Sequence, residues 1–420
     1  MAELALLGGS AAAEEAVTPG WPLLDDVERN AVLDVLDSGS WYNGDRVKEF
    51  EETFAAMQNA KYGVACTGGT VALEAIIRAA GIGVGDEVIT SPYTFIGTCG
   101  AILKSGAAPR FVDVDPETNN LDIGEIEEAI TTHTRAIMPV HFGGLACDID
   151  RLLAICEKHN LVLLEDAAHC WGAKYKDKGL GSWGLASGFS FQQSKNMTCG
   201  DGGIALTNDI AIADAIGCAI NQGRSRYDKA DPKFRWGGNH RMTEFSAAIL
   251  LAQMSRLPEH VEIREQNAAM LTRTLNNIPG IQPSNRLEGA SVVSWHVYGG
   301  RYDADAWEGL SRDVFIKAMR AEGVQVETGY AKPVYRETVF QQDWANSDIR
   351  PFSWAGEDWV QDYKQLNLPK VEAYCGERIG LRHAHLLLTE QAMKLVCDAF
   401  EKVWENRGEL VDAWRAGKTA

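Results

Sequence analysis

Lys195 lies in the run Ser190-Phe191-Gln192-Gln193-Ser194-Lys195-Asn196-Met197-Thr198-Cys199-Gly200-Asp201-Gly202-Gly203, between a serine and a cluster of small residues. Most lysines are solvent-facing charges. This one has Phe189 and Phe191 flanking Ser190 on one side, and on the other small residues that suit tight backbone turns. Upstream, Glu165-Asp166 follows the apolar run Leu161-Val162-Leu163-Leu164, which puts the Asp166 carboxylate at a strand end in a low-dielectric setting. An unpaired charge there is costly, so Asp166 needs a cation or a donor. The alternative for Asp166 is an N-cap of a following helix. An amine and a carboxylate set apart in this way have the makings of a cofactor site.

The elements that must position these groups are legible in the hydrophobic pattern. Amphipathic helices are predicted over residues 25–36 and 47–57, with a turn at Trp41-Tyr42-Asn43-Gly44 between them. From Tyr62 the chain reads strand, glycine turn, helix: Gly63-Val64-Ala65-Cys66, then Thr67-Gly68-Gly69-Thr70, then residues 71–80. Such a turn offers backbone N–H groups and a hydroxyl at a helix N-terminus, a place for an anion. Strands over 87–90, 109–114, 136–140 and 161–164 alternate with helices over 95–104, 123–131 and 149–158. That alternation implies an α/β fold with a mostly parallel sheet covered by helices, whose ligands gather at the carboxyl ends of the strands. Ser91 to Phe95, His141 to Gly144 and Glu165 to His169 fall at those ends.

A phosphate cradle, an aromatic at a strand end, a carboxylate and a lysine in a glycine-rich loop are the parts that pyridoxal 5'-phosphate requires. The segments Gly69-Thr70-Val71-Ala72-Leu73, Pro92-Tyr93-Thr94-Phe95, Phe111-Val112-Asp113-Val114-Asp115, Pro139-Val140-His141, Glu165-Asp166-Ala167-Ala168-His169, Ser190 to Gly203, and Gly238-Asn239-His240-Arg241-Met242 together resemble the DegT/DnrJ/EryC1/StrS family of pyridoxal-phosphate-dependent aminotransferases. The resemblance covers nearly the whole chain. It implies an aspartate-aminotransferase-like (fold type I) large domain, a smaller α+β C-terminal domain, and amination of a keto-sugar or keto-cyclitol by a ping-pong cycle with glutamate or glutamine as donor. Lys195 would join the cofactor's aldehyde and Asp166 would pair with its ring nitrogen. Gly69, Thr70 and Ser190 would hold the phosphate, Phe95 would stack on the ring, and His169 would lie near the phenolic oxygen. Asn239 matches a residue lent to the neighbouring subunit's phosphate, which implies a homodimer with shared active sites. Arg241, close by, is read either as a site residue or as packing for that segment.

Departures from the family pattern bear on the substrate. Asn221-Gln222-Gly223-Arg224 stands where many relatives carry Asn-His-Gly-Arg, and Tyr335 where many nucleotide-sugar enzymes have His. The first departure bears on the donor; Tyr335, with the opening Leu4-Ala5-Leu6-Leu7-Gly8-Gly9, favours the subgroup acting on free cyclitols or other non-nucleotide substrates. A nucleotide-linked ketosugar is the alternative acceptor, and an aminodehydroquinate-type synthase, a sugar dehydratase and a non-catalytic regulatory homologue are the other readings. The dehydratase branch usually replaces the lysine with His, which Lys195 argues against. Candidates for substrate contact are Trp41, Tyr42, His296, Tyr330 and Tyr335.

The C-terminal third changes pattern near residue 266, giving expected domains of 1–265 and 266–420. A helix to Leu275, strands over 292–302 and 324–328, a helix over 311–322 and a final helix over 390–406 are predicted there. Residues 336–376 give no detailed expectation. A net charge of -18 argues against a nucleic-acid backbone as partner, since that affinity rests on Lys and Arg. Nine scattered cysteines with no C-x-x-C pair, and histidines without metal-type spacing, indicate neither a disulfide framework nor a metal site. A cytoplasmic protein without membrane segment or secretory signal is the expectation.

Overall fold

The computed structural model describes residues 3–16, 18–227, 236–346, 352 and 354–419. Helices α1 (Asp26–Ser38) and α2 (Asp45–Met57) pack against the later helix α8 (Glu244–Met254). Asp25 starts α1 with a reciprocal cap, accepting from Val27 N–H while Glu28 accepts from Asp25 N–H. Glu244, at the head of α8, accepts the N–H groups of Gly44 and Arg46 and so fixes the entry to α2.

Strand and helix then alternate through β1 (Tyr62–Cys66), α3 (Gly69–Ala79), β2 (Glu87–Thr90), α4 (Ile96–Ser105), β3 (Ala108–Phe111), the short α5 (Ile126–Ala129), β4 (Thr134–Met138), α6 (Ile149–His159) and β5 (Val162–Asp166). The small hairpin β6 (Lys174–Tyr175) and β7 (Lys178–Gly179) leads to β8 (Ala186–Ser190), β9 (Gly203–Thr207), α7 (Ile210–Ile220), α8 and α9 (Leu257–Leu275). Seven strands form one sheet in the order β1-β9-β8-β5-β4-β2-β3. All are parallel except β9, which runs antiparallel to both neighbours. Helices cover both faces, so β2, β8 and β9 are buried along their whole length.

The C-terminal region builds a three-stranded antiparallel sheet, β10-β11-β12, from β10 (Ile281–Pro283), β11 (Val297–Tyr302) and β12 (Arg378–Arg382). Around it lie α10 (Arg312–Ala321), the one-turn α11 (Thr338–Gln341), α12 (Pro369–Glu377), α13 (Glu390–Glu405) and α14 (Arg407–Arg415). Packing runs across residue 265 in both directions. Helix α9 spans that point, and one apolar cluster joins Phe54, Trp171 and Phe191 to Leu271, Val293 and Phe400. Leu4 is fully buried, and the start of the chain is tied to the end of α10 by Glu322, whose carboxylate accepts from Ala5 and Ala12 N–H. In the other direction, Trp354 donates to Ala107 O and Tyr363 to Pro109 O, seating residues 354–363 on the edge of the large sheet.

Several expected elements differ. Residues 324–328 form no strand beyond a single bridge of Glu327 to Gly380, because the Arg320 guanidinium takes the Val326 carbonyl that a ladder would need. The strand expected from 292 begins only at Val297, since Trp295 has φ +48 and breaks the extended run. The helix expected over 123–131 is a 3-10 turn followed by four residues of α5. The helix over 390–406 is not the last, as α14 follows it. No helix among the described residues is long and apolar enough to cross a membrane.

Glu165 holds the strand end in place. Fully buried, its carboxylate accepts from Gly181, Trp183 and Gly184 N–H and from His141 Nε2, tying β5 to the turn before β8. His141 Nδ1 accepts the Cys147 N–H, which leaves Nε2 to donate to Glu165; burial lowers the ring's pKa, but Cys147 and Glu165 outweigh it and raise it to about 10. Burial pushes the Glu165 pKa up, but the donors from His141, Gly184 and Gly181 outweigh it and hold the group below the usual carboxylate range. Glu165→Gln turns one acceptor oxygen into a donor facing donors. It is expected to cost about 2–4 kcal/mol, measured as a lower midpoint in denaturant unfolding.

Candidate active site

The carboxyl ends of β1, β2, β4, β5 and β8 open onto one cavity of about 540 Å³. Its wall includes Gly69, Thr70, Phe95, Asp166, His169, Ser190 and Lys195, which the sequence placed there, together with His296 and Tyr330.

One end is built for an anion. Helix α3 starts at Gly69 after Gly68, with no side chain capping it, so its first N–H groups are open to the cavity. Thr70 sits in that first turn, and its hydroxyl makes no hydrogen bond with other described residues. Ser190, at the end of β8, accepts weakly from Gln192 N–H at 3.4 Å and keeps its own proton to give. The backbone is close here. A Cβ at Gly69 would lie 2.7 Å from Ser190 Cβ, and one at Gly203 would strike the Gly68 carbonyl.

Asp166 ends β5, three per cent exposed, with Oδ2 accepting from Thr98 Oγ1 at 2.7 Å and Oδ1 from Ala168 N–H at 3.1 Å. Thr98 in turn is bonded to Thr94 at 2.7 Å. No helix follows Asp166, so it caps none. Burial raises its pKa, opposed by Thr98, Ala168 and the charge of Lys195. Lys195 projects from the loop between β8 and β9, its Nζ 6.0 Å from the centre of the Trp171 ring. Desolvation brings its pKa down to about 8, against the pull of Asp166.

His169 is fixed as a neutral ring. Its Nδ1 accepts the Gly143 N–H at 3.1 Å, which leaves the proton on Nε2. Burial and the neighbouring Lys195 push its pKa well down. The ring meets Phe142 edge-on at 5.3 Å and His296 at 4.2 Å. His296 gives its Nδ1 proton to Asn196 Oδ1, because the Asn196 amide nitrogen is committed to the Ser294 carbonyl at 2.7 Å.

Other expected residues lie outside the cavity of a single chain. Tyr335 is fully buried between Phe111 and Arg336, its hydroxyl donating to Glu372 and accepting from Leu368 N–H, so it is no substrate contact here. Trp41 and Tyr42 are about half exposed on the surface, with the Arg241 guanidinium 4.8 Å above the Tyr42 ring. Asn239 is exposed and bridges to Asn221. In the other direction, the sequence reading missed Arg378. It starts β12, is almost wholly buried, and with Lys195 provides the cationic side chains of the cavity wall. Burial opposes its charge, but Tyr93, Tyr374 and Glu327 around it more than compensate. Its position in an unremarkable strand, Arg-Ile-Gly-Leu-Arg, gave no local signal. Among the described residues no cluster of three potential metal ligands occurs.

The donor set suits pyridoxal phosphate: a glycine-lined helix start with two hydroxyls for a phosphate, a buried carboxylate for a ring nitrogen, and an amine with a depressed pKa. Residues 22–400 match the DegT/DnrJ/EryC1/StrS aminotransferase family. A protein of Micromonospora echinospora assigned as an L-glutamine:3-amino-2,3-dideoxy-scyllo-inosose aminotransferase is 35% identical over 418 residues, 97% of this chain and 98% of that one. GDP-perosamine synthase of Caulobacter vibrioides is 38% identical over 362 residues, covering 83% and 91%. Among solved structures, that of 3-amino-5-hydroxybenzoic acid synthase superposes with a TM-score of 0.81 at 32% identity, covering 92% of this chain and 99% of that one.

The electrostatics can be read without any ligand. In protein stripped of small molecules, reductive methylation of Lys195 against pH, followed by mass spectrometry, is expected to have its midpoint near 8, compared with about 10.4 for an ordinary lysine. Asp166→Asn removes the anion that favours the charged amine, so the midpoint moves lower still. A midpoint that rises or stays put contradicts this electrostatic account.

Proposed function

The chain belongs to the DegT/DnrJ/EryC1/StrS aminotransferase family and is an aminotransferase, and from that premise we propose that it moves an amino group from glutamate or glutamine to a keto-cyclitol or keto-sugar, with pyridoxal 5'-phosphate as cofactor and by a ping-pong cycle. The observation that carries the reading is the pairing of a half-buried amine, Lys195, with the buried, hydrogen-bonded carboxylate of Asp166 across one cavity that also has an anion cradle. The cofactor supplies, when bound, an aldehyde that accepts nitrogen and a ring that draws off the electron pair of the donor's Cα–H bond.

The chain's own groups divide the remaining work. The open N–H groups at the start of α3, with the Thr70 and Ser190 hydroxyls, hold the phosphate. Asp166 keeps the ring nitrogen protonated, and Thr98 and Ala168 N–H fix the carboxylate for that task. Phe95 and His169 flank the ring. With a pKa near 8, Lys195 has a substantial neutral fraction at neutral pH, so its Nζ can take the proton from the donor's Cα and return it on the far side of the transfer. Arg378 receives the donor's carboxylate as the second cation of the wall.

We assign the cyclitol or another non-nucleotide keto-sugar as acceptor in preference to a nucleotide-linked one. The relative assigned to an inosose substrate matches 97% of the chain, which supports that choice. The exposed Asn239 reaches the phosphate of a partner protomer in a homodimer with shared sites. Its nine free cysteines suit a reducing cytoplasm.

Purified protein incubated with pyridoxal phosphate is expected to develop the near-visible absorbance of a lysine-linked cofactor, absent in Lys195→Ala; a protein that never takes up the cofactor would sink the proposal. Asp166→Ala should lower kcat on the order of 10³-fold with a smaller effect on KM, since it weakens stabilisation made mainly in the transition state. A screen of amino donors against keto-cyclitols and nucleotide-linked ketosugars, read by product mass, assigns the acceptor. Amine appearing only on a nucleotide-linked sugar overturns the choice made above.

A further inference from the structure

Between β8 and β9 the segment around Lys195 has little structure of its own. Lys195 N–H closes one turn on Gln192 O at 2.9 Å and Ser194 donates to the Gln192 side chain, while further holds on the residues beside the lysine come from outside the segment. Two of those holds bear on the residues on either side of the lysine, and both come from the C-terminal region.

On the N-terminal side, Ser194 O faces His383 Nε2 at 3.0 Å. The tautomer is decided by Arg264, whose Nη2 lies 3.2 Å from His383 Nδ1. A guanidinium only donates, so Nδ1 is the acceptor and Nε2 carries the proton that goes to Ser194 O. Arg264 itself is fully buried in α9 and also donates from Nε to His383 O. Trp21 closes the outer side of the His383 ring edge-on at 4.4 Å. On the C-terminal side, Asn196 donates to Ser294 O at 2.7 Å and accepts from His296 Nδ1 at 3.0 Å. The two anchors are joined, since His383 N–H donates to His296 O at 3.1 Å and the two rings stack at 5.6 Å.

We propose that His383 and Asn196, with Arg264 behind His383, are positioning residues for Lys195: they register the lysine's loop to the segment before β11 and the end of β12, so that the reach of the amine into the cavity is set by the C-terminal region. The inference rests on the reading of Lys195 as the proton-moving base. A lysine has a long flexible stem, and a displaced loop carries the amine with it. Misplacement of a reacting group by about 1 Å costs on the order of 10²-fold in rate. Both histidines of this arrangement are buried and held well below their ordinary pKa, by desolvation first, so the pins stay neutral across the working pH range.

The test compares His383→Leu, His383→Gln and Asn196→Ser in full-length protein by two measurements. The first is the pH midpoint of Lys195 methylation in cofactor-free protein. The second is kcat and KM for the amino donor in the loaded enzyme. Leucine removes the donor to Ser194 O, whereas glutamine can donate to Ser194 O and accept from Arg264. His383→Leu and Asn196→Ser are expected to move the methylation midpoint and lower kcat on the order of 10- to 100-fold, with KM changed less than about threefold and His383→Gln staying within about threefold of wild type in both. Wild-type midpoints and kcat in both His383→Leu and Asn196→Ser overturn the proposal. So does an equal kcat loss in the leucine and glutamine variants with the midpoint unmoved, which is the mark of a purely structural role. If His383→Leu does not fold, Asn196→Ser decides by the same criteria. Failure of the wild type to load cofactor would remove the functional reading, yet the cofactor-free midpoints would still judge the pins.

Discussion

The constraint on which the site depends is the placing of two opposite charges, Asp166 and Lys195, in a poorly solvated cavity without letting them pair directly. Burial disfavours the ionised form of each, raising one pKa and lowering the other. Each then draws on the other's field across the cavity that both line. A direct ion pair would stabilise both charges and fill that space. Asp166 instead takes its hydrogen bonds from Thr98 and the Ala168 N–H, which are neutral and come from behind the strand end. The carboxylate is held, and the amine stays chemically available.

Neutral partners of this kind recur around the cavity. His141, His169, His296 and His383 each have a tautomer set by a group that can play only one role: the Cys147 N–H, the Gly143 N–H, the Asn196 carbonyl and the Arg264 guanidinium. Of these, His169, His296 and His383 are held well below their ordinary pKa, by burial first, and add direction and bulk without adding charge. The local field remains that of the ionised groups in the wall, with Asp166 and Arg378 buried and Lys195 half-buried. A protonated histidine next to Lys195 would depress the amine further, so the commitment of these rings to neutrality protects the electrostatic balance.

Those parts of the site carried by short contiguous signals were legible in the sequence. Strand followed by Thr67-Gly68-Gly69-Thr70, and an apolar strand followed by Asp166, needed only periodicity and the rule that α/β ligands collect at carboxyl strand ends. Strand β2 and helix α6 were placed almost to the residue because both are bounded by turn chemistry. What could not be read was whatever depends on distant partners. Arg378 sits on a strand with no motif, and its role appears only when β12 is brought beside Tyr93 and Tyr374. Residues 324–328 look like a strand by composition, but Arg320 takes the carbonyl that a neighbour would have paired. Tyr335 occupied a position with a family precedent, and the polar partner that draws its hydroxyl inward, Glu372, lies 37 residues further on.

Tyr42, Asn221, Gln222, Asn239 and Arg241 come together when the chain folds. Tyr42 lies under Arg241, Arg241 donates to the side chain of Asn221 at 2.8 Å, and Asn221 pairs with Asn239. Gln222, in the left-handed conformation with φ +58, sits in the same patch. This group is built from three separate stretches of chain, is largely exposed, and is no part of the cavity wall of its own protomer. In a two-fold dimer a patch on one protomer serves the partner's site as the partner's serves its own, because the interface is self-complementary. In the proposed homodimer, Asn239 of this patch would serve the partner's phosphate site.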